Sequence, residues 1–179
     1  MVSEHRVCLL LGSNIQPDRN LPLAIACLRN CLIILRISSV WETPPVGSDG
    51  PSFLNAALLA QTPLEQTTLK LQILIPLETK MGRLRTADKN AARTIDLDIV
   101  LFDRVILDPT LWHFAHRAVP MAEFQPDIRS DAGETLKEAA AKFISSGSIR
   151  LRPEVVLQNK WQSRINNFQM DTNSGDEDF

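Results

Sequence analysis

The ten residues Arg93-Thr94-Ile95-Asp96-Leu97-Asp98-Ile99-Val100-Leu101-Phe102 leave the chain little choice of local structure. Apolar residues recur at every second position, a period that an extended strand matches and a helix does not. Ile95, Leu97, Ile99 and Leu101 then share one face, and Asp96, Asp98 and Val100 the other. Carboxylates two positions apart on one strand face have Cα atoms roughly 7 Å apart, within reach of one cation or two adjacent ones. Aspartate is depleted in strands, and a like-charged pair repels unless positive charge lies near. The preceding segment supplies that charge: between Gly82 and Arg93 stand Arg83, Arg85, Lys89 and Arg93 against Asp88 alone. Taken alone, an Asp-x-Asp strand is more often a solvated polar face. Beside a basic loop it has the composition expected where Mg²⁺ and a polyphosphate meet.

The rest of the chain arranges itself around this strand. Val7-Cys8-Leu9-Leu10-Leu11 is wholly apolar and reads as a central strand buried on both faces, ended by a Gly12-Ser13-Asn14 turn. Asn20 as cap and Pro22 in the first turn predict a helix to about Leu32, with Ala24, Cys27, Leu28 and Cys31 on its core stripe. Residues 36–42 are β-prone, Thr43-Pro44-Pro45-Val46-Gly47 must leave the sheet, and residues 53–61 return as a strand. Thr62-Pro63-Leu64-Glu65 predicts a second helix start, with the helix running to Met81, Leu71, Leu74 and Leu77 near the core, and a kink at Pro76. Asp103-Arg104 turns tightly into Val105-Ile106-Leu107, and Glu134 to Ser145 reads as a later amphipathic helix ended near Gly147. The order β-α-β-β-α-β is that of an α+β, ferredoxin-like sandwich, an antiparallel sheet with helices on one face and the other free for ligands, plus a C-terminal hairpin and helix. Residues 1–157 are read as one domain and 158–179 as a polar, acidic, disordered tail.

Composition narrows the class. Of 179 residues, 44% are hydrophobic and 22% charged, enough for one soluble globular domain with a real core. A net charge of −2 gives no global field for nucleic acid. Cys8, Cys27 and Cys31 have neither metal-ligand spacing nor an even count, which fits a reducing interior. Neither a signal peptide nor a membrane span is legible, so a cytoplasmic protein is expected, without nucleic-acid or membrane partners and as a monomer.

Gly82-Arg83-Leu84-Arg85 followed by Ala92-Arg93-Thr94-Ile95-Asp96-Leu97-Asp98-Ile99 resembles the signature of the 6-hydroxymethyl-7,8-dihydropterin pyrophosphokinases of folate biosynthesis. Ala92 stands where that family usually has proline. The resemblance spans roughly Leu11 to Pro126 and implies pyrophosphoryl transfer from ATP to a pterin alcohol. It further implies that Asp96 and Asp98 hold two Mg²⁺ ions and that Arg83 and Arg93 neutralise the transferred group. Thr43, Pro44, Pro45 and Val46 resemble the loop lining the pterin pocket, and Phe53 and Asn55 the ring and amide that meet the pterin. On the ATP side the resemblance implies Glu78, Arg83, Arg85, Lys89, Arg93, Ile99 and His116. Ile75 replaces a usual glutamine, and Asn90 a usual tryptophan. Between residues 107 and 126 the likeness loosens: Trp112 or Phe114 is the candidate second stacking ring, and His113 or His116 the nucleotide contact.

Two rival readings remain. A pterin- or nucleotide-binding protein without turnover is motivated by Ala92, Ile75 and Asn90. An RNA-binding ferredoxin-like module would require Lys/Arg-Gly-Phe-type runs and a basic domain, which this sequence lacks.

Overall fold

The computed structural model describes residues 4–45, 50–84 and 92–157. Its elements are β1 (His5–Ser13), α1 (Pro17–Leu28), β2 (Ile33–Ile37), β3 (Trp41–Thr43), β4 (Phe53–Thr62), α2 (Gln66–Leu69), a π turn (Lys70–Leu74), α3 (Ile75–Lys80), β5 (Asp96–Phe102), β6 (Val105–Ile106), α4 (Ala115–Ala122), α5 (Leu136–Ser145) and β7 (Arg150–Leu151). All strand pairs are antiparallel, in the order β6-β5-β1-β4-β3-β7, with β2 also on β4. The architecture is mixed α+β around one antiparallel sheet.

The apolar run of β1 explains the layers. Val7, Leu9 and Leu11 pack with Leu21, Ile25 and Leu28 of α1 and with Leu69, Leu74 and Leu77 of the second helical segment. Cys8 and Leu10, on the opposite face, pack with Ala57, Leu59 and Val100 beneath Ala118, Met121, Leu136 and Ala139 of α4 and α5. Helices on one face only, as the element order suggests, is therefore not what forms. A strand apolar on both faces needs cover on both, and α4 and α5 provide the second layer. Trp112 is 6% exposed within that layer.

Several local expectations shift for identifiable reasons. α1 begins at Pro17 rather than at Asn20, because Pro17 already has the fixed φ of a first helical position. Asn20 instead donates from Nδ2 to the Ile15 carbonyl at 2.6 Å. Thr62 ends β4 rather than capping a helix, its hydroxyl accepting from the Leu64 N–H at 3.2 Å, and α2 starts only at Gln66. Pro76 cannot donate to the helix ladder, and the backbone widens into the π turn just before it. The extra residue moves the core stripe to Leu69, Leu74 and Leu77 and leaves Leu71 58% exposed. A bulge does the same in β5. Cys8 faces Leu101 while Leu9 faces Ile99, so Val100 is the unpaired extra residue. Leu101 consequently joins Val100 on the α4–α5 side instead of staying with Leu97 and Ile99. The hairpin into β6 and the later helix form as read. α5 is started by a capping box of Thr135 and Glu138 and followed by Gly147 at φ 70°.

Candidate active site

α4 and α5 cover only part of their sheet face. Cys8, Leu10, Ala57, Leu59 and Val100 lie beneath them, whereas the residues continuing the same face, Gly12, Asn55, Phe53, Asp98 and Asp96, fall toward the uncovered end. Pairing aligns three of these across the strands: Gly12 faces Asn55 on one side and Asp96 on the other. Two strand spacings put the Asn55 and Asp96 backbones roughly 10 Å apart, with Gly12 between them.

The acidic end carries its own counter-charge. Asp96 pairs through one oxygen with Arg83 Nη1 and through the other with Arg93 Nη1. Arg83 also pairs with Glu78, which is 3% exposed and whose Oε1 accepts from the Leu97 N–H at 2.8 Å. Glu78 thereby ties the end of α3 to β5 and fixes Arg83 against Asp96. The Asp98 carboxylate, by contrast, forms no hydrogen bond or ion pair among the described residues. Asp98 is an exposed residue, although the protein around its carboxyl takes away part of its hydration. That partial burial, then the charge of Asp96, push it above the usual range, against Arg117, Arg83 and Lys70.

Arg93 is positioned by residues that sequence reasoning treated as a plain turn. Asn14 Oδ1 accepts from the Arg93 N–H at 2.6 Å, and the N–H groups of Asn14 and Ile15 donate to the Arg93 carbonyl at 3.1 and 3.2 Å. The Ser13 hydroxyl donates to the Thr94 carbonyl at 2.6 Å. The signal lay in their placement: two short polar side chains ending a buried apolar strand must find partners inside the fold. Ser13 is fully buried and Asn14 nearly so.

At the other end, Phe53 and Asn55 share a face, as period two requires. Asn55 is 4% exposed, and its Nδ2 donates to Thr43 Oγ1 at 3.0 Å and to the Trp41 carbonyl at 3.3 Å. The amide thus fixes β3 and the start of the Thr43-Pro44-Pro45 segment. A Cβ at Gly12 would meet Asn55 Oδ1 at 3.3 Å and the Phe53 ring at 3.9 Å, so glycine keeps this corner open.

Of the remaining candidates, Ile99 packs beside the α1 and α3 core, and Trp112 belongs to the second core cluster, not to an exposed ring. His113 is exposed. His116 sits near Asp96 and Arg93; burial first, then Arg117, push its imidazole down to about 4, so it is neutral at pH 7. Phe114 stacks under the Arg117 guanidinium, 5.3 Å from ring centre to carbon. Val46, Arg85, Lys89 and Asn90 lie outside the described residues. No group of three or more His, Cys, Asp or Glu side chains suited to a metal occurs among the described residues. Two adjacent carboxylates fit Mg²⁺, which prefers one or two protein carboxylates with phosphate and water. No helix among those residues is long and apolar enough to cross a membrane.

Known proteins resemble this chain in sequence and in fold. A model of the family described as 7,8-dihydro-6-hydroxymethylpterin-pyrophosphokinase matches residues 8–126. The 2-amino-4-hydroxy-6-hydroxymethyldihydropteridine pyrophosphokinase of Methylorubrum extorquens is 33% identical over 160 residues, covering 82% of this chain and 98% of that protein. The protein of the same name from Pseudomonas aeruginosa is 32% identical over 158 residues, covering 82% and 96%. Among solved structures, Plasmodium falciparum HPPK-DHPS wild type with SDX-DHP superposes with a TM-score of 0.61 at 12% identity, a likeness of fold alone. That match takes in 80% of this chain and 45% of the longer one. The chain belongs to the 7,8-dihydro-6-hydroxymethylpterin-pyrophosphokinase family.

Proposed function

We propose that this chain transfers a pyrophosphoryl group from ATP to the hydroxymethyl oxygen of 6-hydroxymethyl-7,8-dihydropterin, the activity that gives its curated relatives their name. The observation that carries the reading is the row Asn55–Gly12–Asp96, which sets the Asn55 amide two strands away from a carboxylate held by two arginines. The pterin then lies against Phe53 and Asn55, walled by Thr43, Pro44, Pro45 and Val46. The nucleotide lies on the Glu78, Arg83, Arg93, Ile99 and His116 side, with Arg85 and Lys89 from the basic segment.

Asp96 and Asp98 would hold Mg²⁺, two ions in this reading, which when bound would neutralise phosphate charge and align the reacting oxygen. The hydroxymethyl oxygen attacks the β-phosphorus, the bond from that phosphorus to the α,β-bridging oxygen breaks, and AMP departs with that oxygen. The hydroxyl proton goes to solvent or to an aspartate. Arg83 and Arg93 exchange part of their hold on Asp96 for the phosphoryl oxygens, which fork donors suit. Catalysis of this kind rests on alignment and charge, so no protein nucleophile is required. Neutral His116 can accept or donate a hydrogen bond without adding charge.

The adjacency β5-β1-β4-β3 with α1, α2 and α3 in the connections supports a ferredoxin-like reading of residues 5–102, extended by α4, α5 and β7 into one domain to residue 157. A cytoplasmic monomer remains the expectation.

Purified protein is incubated with Mg²⁺-ATP, with and without the pterin, and adenine nucleotides are resolved chromatographically. Pterin-dependent AMP is expected; ADP, or AMP independent of pterin, would refute the assignment.

A further inference from the structure

β2 and β3 follow one another along the same edge of β4, but not in step. Ile37 faces Leu58 and Trp41 faces Asn55, so four steps of one chain meet three of the other. The extra residue is a bulge beside the candidate site, an irregularity of the kind that re-aims a strand. Ser38 stays on β4: its N–H donates to the Ala57 carbonyl at 2.9 Å and its hydroxyl accepts from the Ala57 N–H at 2.8 Å. Ser39 leaves the ladder, its N–H donating to Glu123 Oε2 at 2.9 Å and its hydroxyl to the same oxygen at 3.2 Å. Trp41 Nε1 donates to Glu123 Oε1 at 2.8 Å, and Arg36 Nη2 to the Glu123 carbonyl at 3.1 Å. Glu123, the residue that ends α4, is exposed, yet both its carboxylate oxygens are committed to the stretch that launches β3.

What that stretch carries is the support of Asn55. Residues directly opposed in an antiparallel pair share a face, so the Trp41 side chain lies on the face of Asn55, and Thr43 on that of Phe53. The Trp41 ring packs against the cluster of Val119, Ala140 and Ile149, and so stands between the helical layer and Asn55. The Trp41 carbonyl and Thr43 Oγ1 together hold the Asn55 amide nitrogen, at 3.3 and 3.0 Å. β3 itself has only three residues, and β7 pairs with just Trp41 and Glu42 on its other edge. A clamp that merely fastened α4 to the sheet would be redundant, since Ala118 and Met121 already pack with Cys8, Leu10 and Ala57. The carboxylate adds something else, the setting of Ser39 and Trp41 relative to Asn55.

We propose that Glu123 is a positioning residue for the pterin half of the site and acts through Trp41: it holds the bulge so that Trp41 and Thr43 keep the Asn55 amide in place for the ligand. This rests on the proposed reading that the pterin lies against Phe53 and Asn55. It puts part of the control of pterin affinity at the end of α4, on a residue that in this reading touches neither substrate.

The test is calorimetry with Mg²⁺ and α,β-methylene-ATP, and then with 6-hydroxymethyl-7,8-dihydropterin added to protein saturated with that analogue. It is run on wild type, Glu123→Ala, Glu123→Gln, Trp41→Phe and the Glu123→Ala/Trp41→Phe double variant, each with a thermal unfolding curve. Glu123→Ala is expected to weaken the pterin about fivefold or more, with affinity for the analogue within about twofold of wild type. Glu123→Gln keeps an acceptor for Trp41 Nε1 and should recover part of the loss. Trp41→Phe keeps a ring on the cluster but removes the donor, and a smaller loss of the same selectivity is expected. Because one residue acts through the other, the double variant should bind pterin about as Glu123→Ala does, not with the two losses multiplied. Unchanged pterin affinity in folded Glu123→Ala, equal loss for both ligands, or multiplied losses in the double variant overturns the proposal. Should Glu123→Ala not fold, Glu123→Gln and Trp41→Phe are read in the same way, and both must lose pterin selectively. A wild type that binds pterin but forms no AMP would sink the proposed reaction and leave this inference to the binding data; a wild type that binds no pterin would sink both.

Discussion

Gly12 and Asn55 face each other across β1 and β4 so closely that a Cβ on Gly12 would stand 3.3 Å from the Asn55 side-chain oxygen. Asn55 cannot retreat, since its amide nitrogen is committed to Thr43 Oγ1 and to the Trp41 carbonyl. Gly12→Ala should therefore push the amide or the Phe53 ring out of place, at a cost of about 1–3 kcal/mol. The expected outcome is a several-fold weaker pterin complex by fluorescence titration, with ATP-analogue affinity little changed. Equal pterin affinity in the variant would mean that the corner does not contact the pterin.

Asn14 makes a comparable contact to Arg93, accepting its backbone N–H at 2.6 Å from a nearly buried position. Asn14→Ala leaves that donor without its partner and costs about 1–3 kcal/mol. Because Arg93 pairs with Asp96, the damage should reach turnover: a fall in kcat of about tenfold or more is expected, beyond what the loss in Tm explains. Asn14→Asp keeps the acceptor and should recover most of the loss, which steady-state kinetics on both variants would show.

Asp98 offers a case where stability and activity should move in opposite directions. Its carboxyl is raised by burial and by Asp96, so the folded state holds the proton more tightly than the unfolded chain does. Stability on this account is greatest below the unfolded value of about 3.9 and is lost as pH rises through the raised folded value. Without ligands, Asp98→Asn should be at least as thermostable as wild type at pH 7, the difference vanishing toward pH 3. Asp98→Ala and Asp98→Asn should both lose nearly all Mg²⁺-dependent turnover. A destabilised Asp98→Asn at neutral pH would contradict the electrostatic account.

The parts of this molecule legible from sequence are those governed by strict period. The alternation of residues 95–99 put Asp96 and Asp98 on one face and Leu97 on the other, as found, and Phe53 with Asn55 followed the same rule. The misses lie where one backbone residue is added. The bulge at Val100 carries Leu101 to the other face, and the π turn before Pro76 moves burial from Leu71 to neighbouring positions. Neither insertion leaves a mark in local composition. The second helical layer was foreshadowed by the two-sided apolarity of Val7 to Leu11, which no one-sided sheet can bury. Ser13 and Asn14 were missed because their partners, Thr94 and Arg93, become neighbours only through the fold; one residue type in a turn says nothing of what it will face.

The last prediction concerns the opposite end of β1, remote from the candidate site. His5 Nδ1 lies 2.9 Å from Asp103 Oδ2 and its Nε2 3.3 Å from Glu65 Oε1, with the ring tilted against Phe102 at 4.8 Å. Asp103 has φ 54° at the hairpin into β6, and its other oxygen accepts from the Arg6 N–H at 2.9 Å. The hydrogen bond to Asp103 is the main reason that the imidazole is raised, with the charges of Asp103 and Glu65 adding to it. A raised histidine stabilises the fold fully below its unfolded value of about 6.5 and loses that contribution as pH rises through the folded value. Asp103, lowered mainly by His5, works the other way and loses its contribution as pH falls below about 4. Wild type should therefore lose Tm from about pH 6.5 upward relative to His5→Gln, whose curve should be flatter there. Parallel curves for the two proteins across that window would mean that the clasp carries no proton-linked stability.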